Sequence, residues 1–393
     1  MSTTYILKNP TLPVRSSSGL DYRKELNEAQ YQAATAMEGP LLIIAGAGTG
    51  KTRTLVYRVA HLIDQGVDPR SILLLTFTRR AAEEMLRRAS LLIDGRCSQV
   101  AGGTFHSFAN LVLRSHGRHL DLAPSFTIMD RSDSEGVIQL IRSDMGLNSK
   151  EKRFPRKQTV AEIFSMTHNK QTSLADLIEL EYPHLVDVNF ELAELFTRYT
   201  EYKRTKSLLD YDDLLVKLRD LLANHGDVRQ RLSDYYRYIM VDEYQDTNHL
   251  QDDIVRLLAS THDNVAVVGD DAQSIYSFRG ADFRNIMDFP KQFPGVRIIK
   301  LEENYRSTQP ILNLTNEIIQ RAKEGYEKRL FTRKSVGTRP KLVQAASEQM
   351  QSQFVCQKIL ELREEGVPLW DMAVLFRSSF HSFDLEIELA RHN

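Results

Sequence analysis

Cysteine is almost missing: Cys97 and Cys356 are the only two in 393 residues, far apart and without metal-ligand spacing. This argues against a disulfide framework or a zinc site and fits a reducing compartment, with both residues read as core packing. There is also no excess of one charge. Lys and Arg number 51 against 52 Asp and Glu, a formal net charge of -1, so no global field draws the chain onto a polyanion and any nucleic-acid surface must be local. Long apolar runs are lacking too. The longest, such as Leu41 to Ala45 and Ile72 to Leu75, are far too short to span a bilayer, and Met1 to Leu20 has no continuous apolar stretch of signal-peptide length. A soluble, cytoplasmic protein is expected. No internal repeat occurs at solenoid periods.

What remains is ordinary globular composition, 42% hydrophobic and 26% charged, in a length that suits about two or three domains. Residues 1 to 20, with Pro10, Pro13 and Ser16 to Ser18, read as a flexible extension. From Leu26 helical stretches alternate with short β-rich runs at Leu41–Ile44, Ile72–Leu75, Tyr238–Val241, Val265–Val268 and Val296–Ile299. Apolar runs bounded by polar turns are the pattern of buried parallel strands, so the fold class is α/β, a doubly wound parallel sheet flanked by helices. Between about 116 and 206 the alternation stops and charged helices such as Val188 to Tyr202 take over with no clear strand, which predicts an inserted helical subdomain. Beyond Tyr305 a helix (Gln309 to Ala322), a strand candidate (Ala373–Phe376) and an amphipathic stretch (Phe383 to Arg391) suggest that a second α/β unit begins over 306–393.

The chemistry is concentrated at strand ends. Leu41–Ile44 runs into Ala45-Gly46-Ala47-Gly48-Thr49-Gly50-Lys51-Thr52-Arg53 and then a helical stretch, the strand–loop–helix context of a phosphate-binding loop. Glycines let backbone N–H groups close around phosphates, Lys51 reaches the terminal ones and Thr52 is placed to ligate magnesium. Ala45 stands where the generic pattern has its first glycine. Tyr238–Val241 ends in Asp242-Glu243, carboxylates placed to hold magnesium through water (Asp242) and to orient or deprotonate the attacking water (Glu243). Val265–Val268 runs into Gly269-Asp-Asp-Ala-Gln273, where Gln273 is a candidate γ-phosphate sensor, and Arg306 follows the fifth run as a candidate arginine finger.

In order along residues 26 to 393, these segments resemble the UvrD, Rep and PcrA group of superfamily 1 DNA helicases. Leu26-Asn-Glu-Ala-Gln30 is similar to that family's Q motif, Thr76–Met85 to motif Ia, Gly103–Phe108 to motif Ib and Leu209–Leu214 to a further strand-side motif. Asp242–Asn248 resembles motif II, Gly269–Ala281 motif III and Leu301–Ser307 motif IV. The resemblance implies a RecA-like P-loop ATPase domain (21–115 and 207–305), a helical insertion (116–206) and the start of a second RecA-like domain (306–393). It also implies adenine recognition by Gln30, adenine stacking on Tyr305, and the use of ATP and Mg2+ to move 3′ to 5′ on single-stranded DNA and at junctions with duplex, by a nucleoid-associated monomer with roles such as DNA repair.

Two departures bear on the strand side: Arg79-Arg80 stand where motif Ia usually has Asn-Lys, and Phe278 stands where tryptophan is frequent in motif III. Phe77, Tyr276 and Phe278 are candidate base stackers, each otherwise a core aromatic, and Arg279, Thr78, Thr104 and His106 are candidate backbone contacts. His106 has no partner at metal-ligand spacing. Lys150, Lys152, Arg153, Arg156 and Lys157 form one basic cluster, and Lys203, Arg204 and Lys206 another; a solvated face is the simpler reading of both. No match to motifs V and VI follows Arg306, so the expectation is a fragment that binds ATP and strand without unwinding. Two alternatives stay open on the residues: a P-loop nucleotide switch without translocation, and a binding module that keeps the motif residues without turnover.

Overall fold

The computed structural model describes residues 19–93, 95–147, 154–335 and 337–392. The expected extension up to residue 18, and Lys150, Lys152 and Arg153 of the first basic cluster, lie outside the described residues. Six strands form one parallel sheet: β1 (Leu41–Ala45), β2 (Ile72–Thr76), β3 (Ala101–Thr104), β6 (Tyr238–Val241), β7 (Val265–Gly269) and β8 (Arg297–Leu301), in spatial order β3-β2-β6-β7-β1-β8. A further parallel pair joins β4 (Thr127–Ile128) to β5 (Leu208–Leu209).

Alternate side chains of each strand go to opposite faces, and both faces are covered, which is why the runs are apolar throughout. Leu42, Ile44, Leu73, Leu75, Ile239, Val241 and Val267 pack on one side with helices Phe105–His116, Tyr211–Asn224 and His249–Ala259. Leu41, Ile43, Ile72, Leu74, Met240, Ala266 and Val268 pack on the other with helices Glu28–Thr35, Lys51–Asp64 and Arg79–Leu92. A third core, with Ile138, Val160, Phe164, Leu177, Leu192 and Leu195, lies within the inserted helices Arg131–Asp144, Lys157–Lys170, Leu174–Glu181 and Asn189–Thr205.

The structure corrects the sequence reading at several points. β3 is a strand although it reads Ala-Gly-Gly-Thr, because an edge position needs only one partner's hydrogen bonds and no apolar run. The insertion does contain a strand, Thr127–Ile128, too short to show a period. Ala373–Phe376 does not form the expected strand: Val374, Leu375 and Phe376 are exposed, and among the described residues no strand pairs with them to satisfy their backbone groups. The expected helix Gln309–Ala322 ends at Ile319. The described residues up to 337 pack as one unit. Residues 338–392 make a separate small unit of helices Glu348–Glu364 and Phe383–Arg391, with Cys356 and Leu385 buried. Among the described residues no helix is long and apolar enough to cross a membrane.

Candidate functional site

A parallel sheet puts every strand's carboxyl end on one edge, and ligands of such sheets bind there. The loops after β1, β2, β3, β6, β7 and β8 therefore meet, bringing together segments as distant as Gly46 and Arg306.

The loop after β1 leads into the helix Lys51–Asp64, whose N-cap is Gly50 in the left-handed region (φ 88°). A side chain at Gly50 would also meet Gln30 Nε2 at 2.6 Å, and one at Gly48 (φ 76°) would meet Arg306 Cβ at 2.7 Å. Here glycine is required twice over, by dihedral and by close approach. Thr49 is fully buried, its hydroxyl donating to the Gly46 carbonyl at 2.8 Å. The helix thus presents its first N–H groups and Thr52 toward the loop, the arrangement that binds phosphate.

Lys51 Nζ sits 2.6 Å from Glu243 Oε2. Asp242 and Glu243 follow β6, and Glu243 adopts φ 51°, ψ 49°, a conformation that costs a non-glycine residue on the order of 1 kcal/mol and aims its carboxylate at Lys51. Asp242 is buried, and its Oδ1 has no hydrogen-bond partner among the described residues. Burial, then the neighbouring Glu243 charge, push its carboxyl up to about 7 against the pull of Lys51. Asp246 is lifted to about 6 by the same two causes in the same order. An orphaned carboxylate oxygen beside a phosphate loop fits a hard cation. Among the described residues no three His, Cys, Asp or Glu side chains cluster into a metal cage, and magnesium, which keeps waters and phosphate oxygens, needs none.

Several braces here were not legible in the sequence. Asn304 Nδ2 donates to the Ala47 carbonyl at 2.5 Å, while its Oδ1 accepts from the N–H groups of Arg306 and Ser307 at 2.9 and 2.7 Å. Tyr305 N–H donates to the Gly48 carbonyl at 2.9 Å, so the segment after β8 is stitched to the phosphate loop. Gln245 Oε1 accepts from Asp270 N–H at 3.0 Å and its Nε2 donates to Glu243 at 2.9 Å, joining the ends of β6 and β7. Lys328 is buried with Nζ 2.7 Å from both Asp270 and Asp271. None of these carries a residue-type signal, since each depends on a partner far away in the chain.

Some predicted contacts are engaged within the protein. Gln30 uses both ends of its amide: Nε2 donates to the Thr49 carbonyl at 2.9 Å and Oε1 accepts from Asn27 N–H at 3.3 Å. Gln273 Nε2 donates to Asp270 Oδ2 at 2.5 Å. Arg53 donates to the Glu25 carbonyl and carboxylate at 2.7 and 3.0 Å. Arg306 is exposed, and its guanidinium has no acceptor among the described residues. Tyr305, Arg306, Arg53, Gln30, Gly48 and Gly50 line one open cleft with Glu25, and the Tyr305 hydroxyl accepts from Asn27 at 2.8 Å.

A second groove lies on the other flank. Phe77 stacks on Tyr276 (centroids 5.2 Å, 27° between planes) and Tyr276 leans on Phe278 at 6.1 Å, with the Arg279 guanidinium 5.4 Å from both latter rings. Phe278 is 65% exposed, so neither it nor Phe77 is a core aromatic. Thr78 and Thr104 are helix N-caps, accepting from the Ala81 and Ser107 N–H groups. His106 is half-buried edge-on to Tyr211, and burial lowers its pKa. Lys203 is not on a solvated face: its side chain is 5% exposed between Asp210 and Asp213, because helix Asn189–Thr205 ends over the helix Tyr211–Asn224 cap. Lys157 faces Glu135 at 3.7 Å and Arg204 pairs with Glu201.

Comparison with known proteins matches residues 26–294 to the UvrD/REP helicase N-terminal domain and residues 299–393 to the UvrD-like helicase C-terminal domain. The ATP-dependent DNA helicase PcrA of Leuconostoc citreum is 39% identical over 374 residues, 94% of this chain and 49% of the relative. Those named PcrA from Staphylococcus aureus and Staphylococcus epidermidis are each 36% identical over 94% of this chain and 50% of their own length. The chain spans about half the length of the curated relatives it matches.

Proposed function

Since the chain belongs to the UvrD/REP helicase family, we propose that it is the ATP-binding and strand-contacting part of an ATP-dependent DNA helicase that moves 3′ to 5′ on single-stranded DNA. The observation that carries this reading is the Lys51–Glu243 pair beside the orphaned Asp242 carboxylate, all at the end of a phosphate loop.

The backbone N–H groups of Gly46 to Gly50 and the helix start would cradle the phosphates. Negative charge there would draw Lys51 off Glu243, and the freed carboxylate would then accept the proton of the water that attacks the γ-phosphorus as the bond to ADP breaks. Thr52 and, through water, Asp242 would hold magnesium, which supplies charge neutralisation on the phosphates. Gln273 would sense the γ-phosphate after releasing Asp270, and Arg306, whose guanidinium is free, would stabilise the transition-state charge. Adenine would lie in the cleft between Gln30 and the Tyr305 ring. Bases of one strand would stack on Phe77, Tyr276 and Phe278, with Arg279, the helix starts at Thr78 and Thr104, and His106 next to the phosphates.

The test is ATP hydrolysis with and without an oligonucleotide in the wild type and in Lys51→Ala. Strand-stimulated turnover lost in the variant supports the reading; near-normal turnover in the variant sinks it. Nucleotide turnover with no oligonucleotide binding would point instead to a switch without translocation.

A further inference from the structure

We propose that Asn169, in the last turn of the inserted helix Lys157–Lys170, is a positioning residue that couples the aromatic loop of the strand groove to the carboxylate loop of the ATP site. The inference rests on the reading of both sites given above.

Three segments distant in sequence meet at this one residue. Asn169 Oδ1 accepts from Asn248 Nδ2 at 2.7 Å. Its Nδ2 donates to Asp212 Oδ1 at 3.1 Å and to the Ser165 carbonyl at 3.0 Å. Asn248 ends the loop that begins at Asp242, and it caps the helix His249–Ala259 by accepting from Gln251 N–H at 2.9 Å. The third segment is the aromatic loop. Gly280 closes that loop at φ 87°, and a Cβ on it would stand 2.7 Å from Asn169 Cβ. No room for even a methyl group is left between Gly280 and Asn169, so the loop packs directly against that residue and a shift of either side is passed to the other.

The aromatic loop is also tied to the carboxylate loop on its far side. Asp282 N–H and Asn285 Nδ2 both donate to the Thr247 carbonyl at 3.0 Å, and His249 Nε2 lies 3.1 Å from Asp282 Oδ2. Thr247 and Asn248 are thus gripped between the aromatic loop and the helical insertion, with Asn169 the insertion's contribution. A strand that moves Phe278 and Gly280 presses on Asn169, and Asn169 reports to Asn248, six residues from Asp242. An asparagine suits the task because one amide serves a donor on one side and an acceptor on the other.

The experiment measures the affinity of a fluorescent oligo(dT) for the 393-residue chain with and without a non-hydrolysable ATP analogue and magnesium. Coupling between two sites of one protein is commonly roughly 5- to 150-fold. Asn169→Ala is expected to bring the ratio of the two affinities to within about twofold of unity, while the affinity for each ligand alone stays within about threefold of wild type. Asn248→Ser provides the second variant: its hydroxyl still caps the helix, and the amide that donated to Asn169 is gone, so the same loss of coupling is expected in a protein that keeps its fold. Wild-type coupling retained in either folded variant overturns the proposal. A wild type that binds both ligands without linkage overturns it too, while leaving the two sites standing. A wild type that binds neither ligand overturns the functional reading itself.

Discussion

Lys51 and Glu243 face each other at 2.6 Å, with the lysine side chain nearly buried and the glutamate held in left-handed backbone. Each group thereby stands where the other's proposed partner would go: phosphate for the ammonium, attacking water for the carboxylate. Glu243→Gln weakens that pair without emptying the space. ATP binding in this variant is expected to equal or exceed wild type, while hydrolysis falls by about 10²- to 10⁴-fold, the usual worth of a positioned base. Filter binding and phosphate release measure the two; turnover within about tenfold of wild type would remove the base role from Glu243.

Asn304 holds the phosphate loop by its Ala47 carbonyl and caps the turn carrying Arg306. Asn304→Ala leaves one carbonyl and two N–H groups of this turn without their partner. Loss of a buried hydrogen bond costs about 1–3 kcal/mol, so nucleotide affinity is expected to fall about tenfold. Titration with a fluorescent ATP analogue checks it, and unchanged affinity would make Asn304 a bystander.

Fold and site differ in how plainly the sequence displays them. Strands such as Leu41–Ala45 and Val265–Gly269 were legible because they are buried on both faces, and burial writes itself as an unbroken apolar run. Ala101–Thr104 was not, since an edge strand with two glycines carries no such mark, and Ala373–Phe376 misled because an apolar run says nothing about whether a partner strand exists. In the site, motif spacing named Lys51, Asp242 and Glu243, which the topology then gathers on one edge. Gln245, Asn304 and Lys328 were invisible, because a brace is defined by what it touches and each touches a segment at least 25 residues away.

Phe278 is the most exposed ring of the aromatic loop. Stacking of one base on an aromatic is worth about 1–3 kcal/mol. Phe278→Ala should therefore weaken oligonucleotide binding by about 5- to 150-fold, and Phe278→Trp should match or strengthen it, with ATP affinity measured without strand unchanged in both. Equal strand affinity in all three proteins would place the bases elsewhere.

Asp252 sits in the helix His249–Ala259 with its carboxyl raised by burial, against hydrogen bonds from Tyr244 and Gln292 and the Arg256 charge. A raised carboxyl keeps its proton in the folded chain after the unfolded chain has lost it, so stability falls as pH rises from about 4 through the raised value. Asp252→Asn cannot titrate and lacks this decline. Its melting temperature relative to wild type should climb across that interval and then level off; a difference independent of pH would show that Asp252 ionises alike in both states.

Lys203 lies between Asp210 at 2.6 Å and Asp213 at 2.7 Å, at the root of the helical insertion. With the lysine removed, two buried carboxylates face each other without compensation, and breaking a buried pair in this way costs about 3–5 kcal/mol. Lys203→Met is expected to lower stability in urea titrations by that order, and adding Asp210→Asn with Asp213→Asn should recover much of it, since neutral amides no longer repel. The opposite outcome is equally readable. If Lys203→Met kept wild-type stability and lost oligonucleotide affinity, the ammonium would be working on the strand, and the insertion would be anchored by its other contacts, such as those of Asn169, Gln171 and Tyr199.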